Sequence, residues 1–246
     1  MNIYDDVVAE PMRTSMDARV HDPVILCPVE EITKLAAVGL GGVKAFRLLH
    51  PAQVYTIGRG RGYMSLVGPC YGAPVAAIVL EKCIAQGVRN VIFLGFCGSV
   101  NPKARLGDLL VVDSALSEEG TSKHYFPEKF PPLAGPRATA AIEQALKAQR
   151  VRYQKGRVWT CDAMYRETRD KVRSYGQQGV LGVEMELAAL FTVARFRGIE
   201  LGALVVVTDE LFELKWLNGY TAPVVLKAIR KAIYLVGAAA GNLLRK

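Results

Sequence analysis

Residues 180–210 read VLGVEMELAALFTVARFRGIELGALVVVTDE, and this stretch decides the fold. Val180–Val183 is apolar and strand-like, and it runs straight into an apolar helix that ends near Arg197. Leu201–Val207 is then almost wholly apolar, as a strand covered on both faces should be. A strand, a helix and a doubly covered strand in succession are the repeating unit of an α/β sheet with helices on both sides.

The same alternation extends in both directions. Val24–Cys27 is a short apolar run of strand type. Val29 to about Val38 reads as a helix, with Ile32 and Leu35 three residues apart, and Leu40-Gly41-Gly42 breaks it. Ala52–Ile57 and Tyr63–Val67 are β-like, and Gly58-Arg59-Gly60-Arg61-Gly62 joins them as a hairpin turn. This glycine run does not match G-x-G-x-x-G and does not lead into a helix, which excludes a dinucleotide-binding loop. Val75–Gln86 is helical, with Ile78, Val79 and Cys83 in its apolar stripe. Asn90–Leu94 is a buried strand that ends at Gly95. Leu109–Leu116 and Arg157–Thr160 are strands, Arg137–Gln149 is a helix, and Arg166–Tyr175 is a polar helix. Pro223 to Leu244 is a long terminal helix with Lys227, Arg230 and Lys231 on its polar face. The pattern predicts one α/β domain over residues 23–246, a three-layer α/β/α sandwich around a central mixed β-sheet. An irregular arm over residues 1–22 precedes it.

Composition narrows the function. The chain has 246 residues, 51% of them apolar, enough for a large core. The net charge of +8 favours anions such as phosphate or nucleotides. No dense Lys/Arg run or recognisable module points to nucleic acid. Cys27, Cys70, Cys83, Cys97 and Cys161 form no C-x-x-C pair and read as reduced, mostly buried thiols. His21, His50 and His124 have no metal-ligand spacing, so no metal is expected. The N-terminus lacks the features of a signal peptide. The apolar run Ala232–Leu244 is too short to span a bilayer. The reading is a soluble cytoplasmic protein without membrane contact.

Four constellations carry chemistry. In Leu94-Gly95-Phe96-Cys97-Gly98-Ser99, two glycines follow a buried strand, in a loop whose N–H groups can approach a small ligand. The competing reading is turn geometry alone. In Val183-Glu184-Met185-Glu186, two carboxylates bracket a methionine where strand becomes helix. A carboxylate accepts hydrogen bonds from the paired hydroxyls of a ribose, and a methionine gives a soft apolar contact. The plainer reading makes both glutamates helix N-terminal acids. In Thr208-Asp209-Glu210, Asp209 stands just past the end of an apolar strand. It is either a turn residue or a partly buried acid able to protonate a leaving base. In Thr160-Cys161-Asp162-Ala163-Met164-Tyr165-Arg166-Glu167-Thr168, Met164 and Tyr165 offer a wall for a planar base, or simple loop packing with Arg166 and Arg169 on a solvated helix.

Taken in order, these pieces resemble the trimeric/hexameric nucleoside phosphorylase superfamily, which includes uridine phosphorylases and nucleosidases. The likeness runs through Tyr71-Gly72-Ala73-Pro74, Gly95-x-Cys97-Gly98, Gly107-Asp108-Leu109 and Glu119-Gly120-Thr121-Ser122. It continues through Thr160-x-Asp162, Val183-Glu184-Met185-Glu186 and Thr208-Asp209, covering roughly residues 24 to 240. The resemblance implies ribose binding by Glu184, Met185 and Glu186, and base binding by Met164, Tyr165, Arg166 and Thr208. It implies that Asp209 meets the purine N7 edge, and that Gly95, Phe96, Cys97 and Gly98 lie near the nucleophile. It implies catalysis without metal or organic cofactor, phosphate being a co-substrate. It also implies a homo-oligomer, a dimer or a trimer of dimers, in which a neighbouring subunit completes the site.

The chain departs from that pattern where phosphate is held. Pro28-Val29-Glu30-Glu31-Ile32-Thr33 lacks the G-D-P and arginine of bacterial purine phosphorylases, and Phe93 and Phe96 align with an arginine and a serine that hold phosphate. The segment is similar instead to the nucleosidase region in which a glutamate, matching Glu31, activates water. Phosphorolysis of a nucleoside, with a purine favoured and uridine possible, is the leading expectation. Arg47, Arg59, Arg61, His124 or Arg166 are the candidates to rebuild the anion site. Hydrolysis through Glu31, and a nucleoside-binding protein without turnover, are the alternatives.

Overall fold

The computed structural model describes residues 7–59, 62–126 and 131–244. In chain order the elements are β1 (Val24–Leu26), α1 (Glu30–Leu40), β2 (Val43–Lys44), β3 (Gln53–Arg59), β4 (Gly62–Gly68), α2 (Ala73–Ala85), β5 (Asn90–Ser99) and β6 (Leu109–Ser117). They continue with α3 (Pro136–Ala148), β7 (Gln154–Thr160), α4 (Arg169–Gln177), β8 (Gly182–Glu184), α5 (Leu187–Phe196), β9 (Glu200–Glu210), β10 (Leu217–Asn218) and α6 (Pro223–Leu243).

The strands form one mixed sheet in the order β10-β9-β6-β7-β8-β5-β1-β4-β3-β2. β5 also pairs with β9, so β9, β6, β7, β8 and β5 close into a ring. The central pairs β1–β4, β1–β5 and β5–β9 are parallel, while β3–β4 and β6–β9 are antiparallel. Alternation along the strands explains the layers. Leu26, Phe93 and Val205 face the core shared with α2 and α5. Ile25, Ile92, Leu94 and Val206 face the core shared with α1, α3 and α6. Both sheet faces are therefore apolar, as the sequence runs require.

Residues 7–22 form neither helix nor strand, and the arm's first six residues lie outside the described ones. The described part is tied down: Ala18 and Val20 are buried, the Ala18 N–H donates to Leu48 O, and the Val20 N–H donates to Gln86 Oε1. The centre of the expected hairpin turn, residues 60 and 61, also lies outside the described residues. Among the described residues no helix is long and apolar enough to cross a membrane.

Four local expectations change. The strand does not end at Gly95: β5 runs on to Ser99 because β9 supplies partners that far, and Gly98 and Ser99 also pair with β8. The expected glycine loop is thus strand, with a bulge between Cys97 and Gly98. Similarly, β9 continues to Glu210, so Asp209 sits inside a strand and pairs with Asn218 of β10. The expected polar helix starts only at Arg169, where Thr168 caps α4, and Met164–Arg166 forms a 3-10 turn before it. Ile78 is 51% exposed and stands outside the apolar stripe of α2.

Candidate functional site

A cavity of about 690 Å³ opens at the C-terminal ends of β5, β8 and β9, where open α/β sheets place their ligands. The junction from β8 to α5 builds one wall. Glu184 turns its carboxylate back onto the start of α5, where Oε2 accepts from the N–H groups of Glu186 and Leu187, both at 2.7 Å. The Thr160 hydroxyl donates to Oε1. Unsatisfied N–H groups at a helix start attract a carboxylate in this way. Burial raises the Glu184 carboxyl, and these three hydrogen bonds oppose the rise.

Glu186 is also buried, at 4% exposure, and lines the cavity. It accepts a hydrogen bond from the Gly72 N–H at 2.7 Å, from the turn that opens α2. Burial, then the charge of Glu184, pushes this carboxyl up. Met185 stands between the two glutamates, half-buried, and faces the same space.

Asp209 reaches the cavity from β9. Oδ2 accepts from Trp216 Nε1 at 2.9 Å and Oδ1 accepts from the Thr208 hydroxyl at 3.1 Å. Burial raises its carboxyl against those two bonds. Gly98 gives it room: a Cβ there would lie 2.8 Å from Asp209 Oδ2 and 2.5 Å from Leu211 Cδ1. Gly95 is fixed differently, since a Cβ there would lie 2.5 Å from the Phe93 ring.

The remaining wall comes from the 3-10 turn after β7. Met164 and Tyr165 line the cavity, and Tyr71 Oη lies 4.0 Å from Met164 Sδ. Glu167, at the end of the same turn, also lines it. Burial and the charge of Asp209 push its carboxyl up to about 7. From α1 come Glu31, Ile32 and Leu35, and from α6 Leu226 and Ile229. Phe96 lies edge-on to Tyr220, with ring centroids 6.3 Å apart.

The structure thus gathers Glu31, Phe96, Cys97, Gly98, Met164, Tyr165, Glu184, Met185, Glu186 and Asp209 around one space, and it moves four others out. Gly95 is in β5 but does not line the cavity. Thr208 is fully buried behind Asp209 because neighbours in a strand face opposite sides. Arg166 is exposed outside the lining. Phe93 is fully buried in the core beneath α2 and α5, so only Phe96 of the two rings meets the cavity. Glu184 remains at the wall, yet both its oxygens already accept hydrogen bonds, which makes it a support for the α5 start. Glu167, Trp216, Tyr220 and Tyr71 also line the cavity, although the sequence reading assigned them no role there.

The lining holds five carboxyl groups, Glu31, Glu167, Glu184, Glu186 and Asp209, and among the described residues no Lys, Arg or His. Of the candidate cations, Arg47 donates to Ser15 O, and His124 is exposed on a separate 3-10 turn. Arg61 lies outside the described residues. Among the described residues no group of three or more His, Cys, Asp or Glu side chains is arranged to hold a metal ion. The Glu119 segment is a scaffold: Glu119 accepts from Ser117, Thr121 and Ser122, and Asp162 accepts from the Gly120 N–H at 2.9 Å.

Comparison with known proteins places this geometry. The family model described as Phosphorylase superfamily matches residues 24–239. A guanosine phosphorylase of Halorubrum lacusprofundi is 31% identical over 140 residues, 57% of this chain and 58% of that protein. A DeoD-type purine nucleoside phosphorylase of Bacillus cereus is 30% identical over 151 residues, 61% of this chain and 64% of that protein. These matches therefore span about three fifths of the curated relatives' length. The fold is shared with a uridine phosphorylase from Vibrio fischeri, with a TM-score of 0.81, 23% identity and coverage of 94% of this chain and 100% of that one. It is shared equally with a purine nucleoside phosphorylase from Toxoplasma gondii solved with immucillin-H, with a TM-score of 0.86, 20% identity and coverage of 97% and 99%.

Proposed function

The chain belongs to the phosphorylase superfamily, and from that premise we propose that it cleaves the N-glycosidic bond of a nucleoside with phosphate, releasing free base and ribose 1-phosphate. The observation that carries this reading is the pairing of Glu186 and Asp209, two buried carboxyl groups on one cavity. Glu186 accepts hydrogen bonds from the ribose hydroxyls, and Met185 packs on the sugar. Met164 and Tyr165 flank the base. A phosphate oxygen bonds to C1′ as the C1′–N bond breaks, and the bonding pair leaves with the base. The proton on Asp209 passes to the base, which favours a purine because N7 can accept it. Burial raises the Asp209 carboxyl, in the direction a proton donor near neutral pH requires. The relatives named above as guanosine and purine nucleoside phosphorylases support the reaction class.

One observation favours a second reading. Phosphate needs several donors, best supplied by cations, and the described lining holds five carboxyl groups and the Phe96 ring but no Lys, Arg or His. Water activated by Glu31 would then be the nucleophile and ribose the product. For phosphorolysis the cations come from outside the lining, and we place them on a neighbouring copy in a dimer or trimer of dimers. Exposed Val43, Phe46 and Leu48 around Arg47 support such contact. The five free, buried cysteines fit a reducing compartment, and we place the reaction in the cytoplasm.

The test is the sugar product. Inosine incubated with the protein and phosphate is expected to give ribose 1-phosphate with saturable dependence on phosphate, and Glu186→Ala is expected to lose at least about tenfold in kcat/KM while staying folded. Free ribose at high phosphate would replace phosphorolysis with hydrolysis. Turnover unchanged in Glu186→Ala would remove the ribose assignment.

A further inference from the structure

Asp209 is 6% exposed, whereas its indole donor Trp216 is 54% exposed. Trp216 lines the cavity and donates from Nε1 to Asp209 Oδ2 at 2.9 Å. An exposed ring bonded to a buried carboxyl lies on the solvent side of that carboxyl. The other donor holds Asp209 less firmly. Thr208 has one hydroxyl hydrogen, and Cys97 O at 3.5 Å competes for it with Asp209 Oδ1 at 3.1 Å. An indole N–H only donates, and among the described residues its acceptor is Asp209.

The backbone puts the indole there. Trp216 follows a turn that returns the chain over the end of β9. The Leu211 N–H donates to Ser99 O at 2.8 Å, and the Leu214 N–H donates to Leu211 O at 2.7 Å. Leu214 has a φ of 58°, in the left-handed region that a leucine rarely adopts. Such strain persists only where the surrounding structure over-determines it. Beyond Trp216, β10 pairs Leu217 with Glu210 and Asn218 with Asp209, and the Gly219 N–H donates to Thr208 O at 3.0 Å. The segment is thus bonded to β5 and β9 on either side of the indole, which fixes the ring relative to the carboxyl.

We propose that Trp216 is the positioning residue of the acid: its N–H holds one carboxyl oxygen of Asp209 and its ring keeps water off the carboxyl, so that the proton goes to the leaving base. The proposal rests on the nucleoside-cleavage reading above and extends it to a residue outside the central strands. The two actions oppose each other on the protonation of Asp209. The N–H stabilises the carboxylate, whereas exclusion of water favours the neutral acid. The titratable groups that face Asp209 are Cys97 on β5, Glu167 at the end of the 3-10 turn and Tyr220 before α6. All three stay in place in a Trp216 variant, so their influence is common to the proteins compared.

Trp216→Phe keeps a ring and removes the donor, and Trp216→Ala removes both. With inosine and phosphate, the Phe variant is expected to lose about 10- to 100-fold in kcat with KM little changed. Its alkaline limb in kcat/KM is expected to move up by about 1–2 pH units. The Ala variant is expected to lose as much in kcat, with an alkaline limb below that of the Phe variant because water reaches the carboxyl. A purely structural role would lower the rates without moving the limb. A Phe variant with wild-type kcat, a limb that stays at the wild-type position, or Phe and Ala limbs that coincide would overturn the proposal. Carbon-13 NMR of protein labelled at the aspartate carboxyls, with Asp209 assigned through Asp209→Asn, reads the same order without substrate. If the wild-type protein cleaves no nucleoside, the cleavage reading fails and this titration decides on Trp216. A carboxyl that titrates higher in the Phe variant than in the wild type, and lower in the Ala variant than in the Phe variant, supports the proposal. Coincident titrations overturn it.

Discussion

Replacing Glu167 with glutamine should make the protein more stable at high pH and leave it unchanged at low pH. The carboxyl rises from 4.5 to about 7 in the folded chain, first through burial and then through the charge of Asp209. An acid with a raised folded pKa binds more protons folded than unfolded between those values. Stability from this group is thus intact below about pH 4.5, falls as pH rises through about 7, and levels off above it. At about 1.36 kcal/mol per pH unit, the interval sets a ceiling near 3 kcal/mol. Glu167 is only half-buried, and solvent screening reduces the ceiling to about 1–2 kcal/mol. Glutamine keeps the shape and removes the charge. Urea unfolding of both proteins from pH 4.5 to pH 8.5 should give curves that coincide at the acid end and diverge to that extent at the alkaline end. A difference that does not vary with pH, or a variant less stable at pH 8.5, would refute the electrostatic reasoning.

Trp216→Phe removes the indole donor to Asp209 Oδ2 at 2.9 Å. Without it the Asp209 carboxyl should rise further, moving the high-pH limb of the kcat/KM profile upward by about 1–2 pH units, the equivalent of a lost hydrogen bond to a charged group. Glu184→Gln turns an amide N–H toward groups that now donate to a carboxylate. It should cost about 1–3 kcal/mol in urea unfolding, and the midpoint against urea is the measurement that checks it.

The layers were legible because each strand of the centre is apolar on both faces, as in Leu201–Val207, and the sheet is covered on both sides. That Glu186 and Asp209 would meet at one cavity was legible because both are carboxyl groups in apolar surroundings, where burial needs a reason. What misled the reading was direction. Thr208 and Asp209 are strand neighbours and cannot share a face, nor can Phe93 and Phe96 at a spacing of three. Applied to β5 and β9, that rule separates the pairs correctly, but only once both strands are known to continue past Gly95 and Val207. Their extension depends on β8 and β10, short strands with no periodicity of their own. Glu167 was hidden for another reason. In Arg166-Glu167-Thr168-Arg169 a carboxylate reads as the solvated start of a polar helix, and only the 3-10 turn aims it inward. Trp216 and Tyr220 lie in a stretch without pattern, where pairing with β9 brings them over Asp209.

The charge of the chain and the charge of its cavity have opposite signs, and this constrains the chemistry. The net charge is +8, yet the described lining carries five carboxyl groups and no cation. Long-range attraction of anions is therefore a property of the outer surface, while the cavity itself suits a neutral ligand rich in donors. The proposed nucleoside meets that demand, with two ribose hydroxyls for Glu186. Phosphate does not, because Phe96 provides no donor and Glu31 repels it. The two substrates of a phosphorolysis thus have different requirements. On the proposed function the nucleoside half of the site lies within one chain, whereas the anion half needs a cation that these lining residues lack. Assembly and choice of nucleophile are on this account one problem: a neighbouring copy that brings an arginine admits phosphate, and a site without it leaves water beside Glu31.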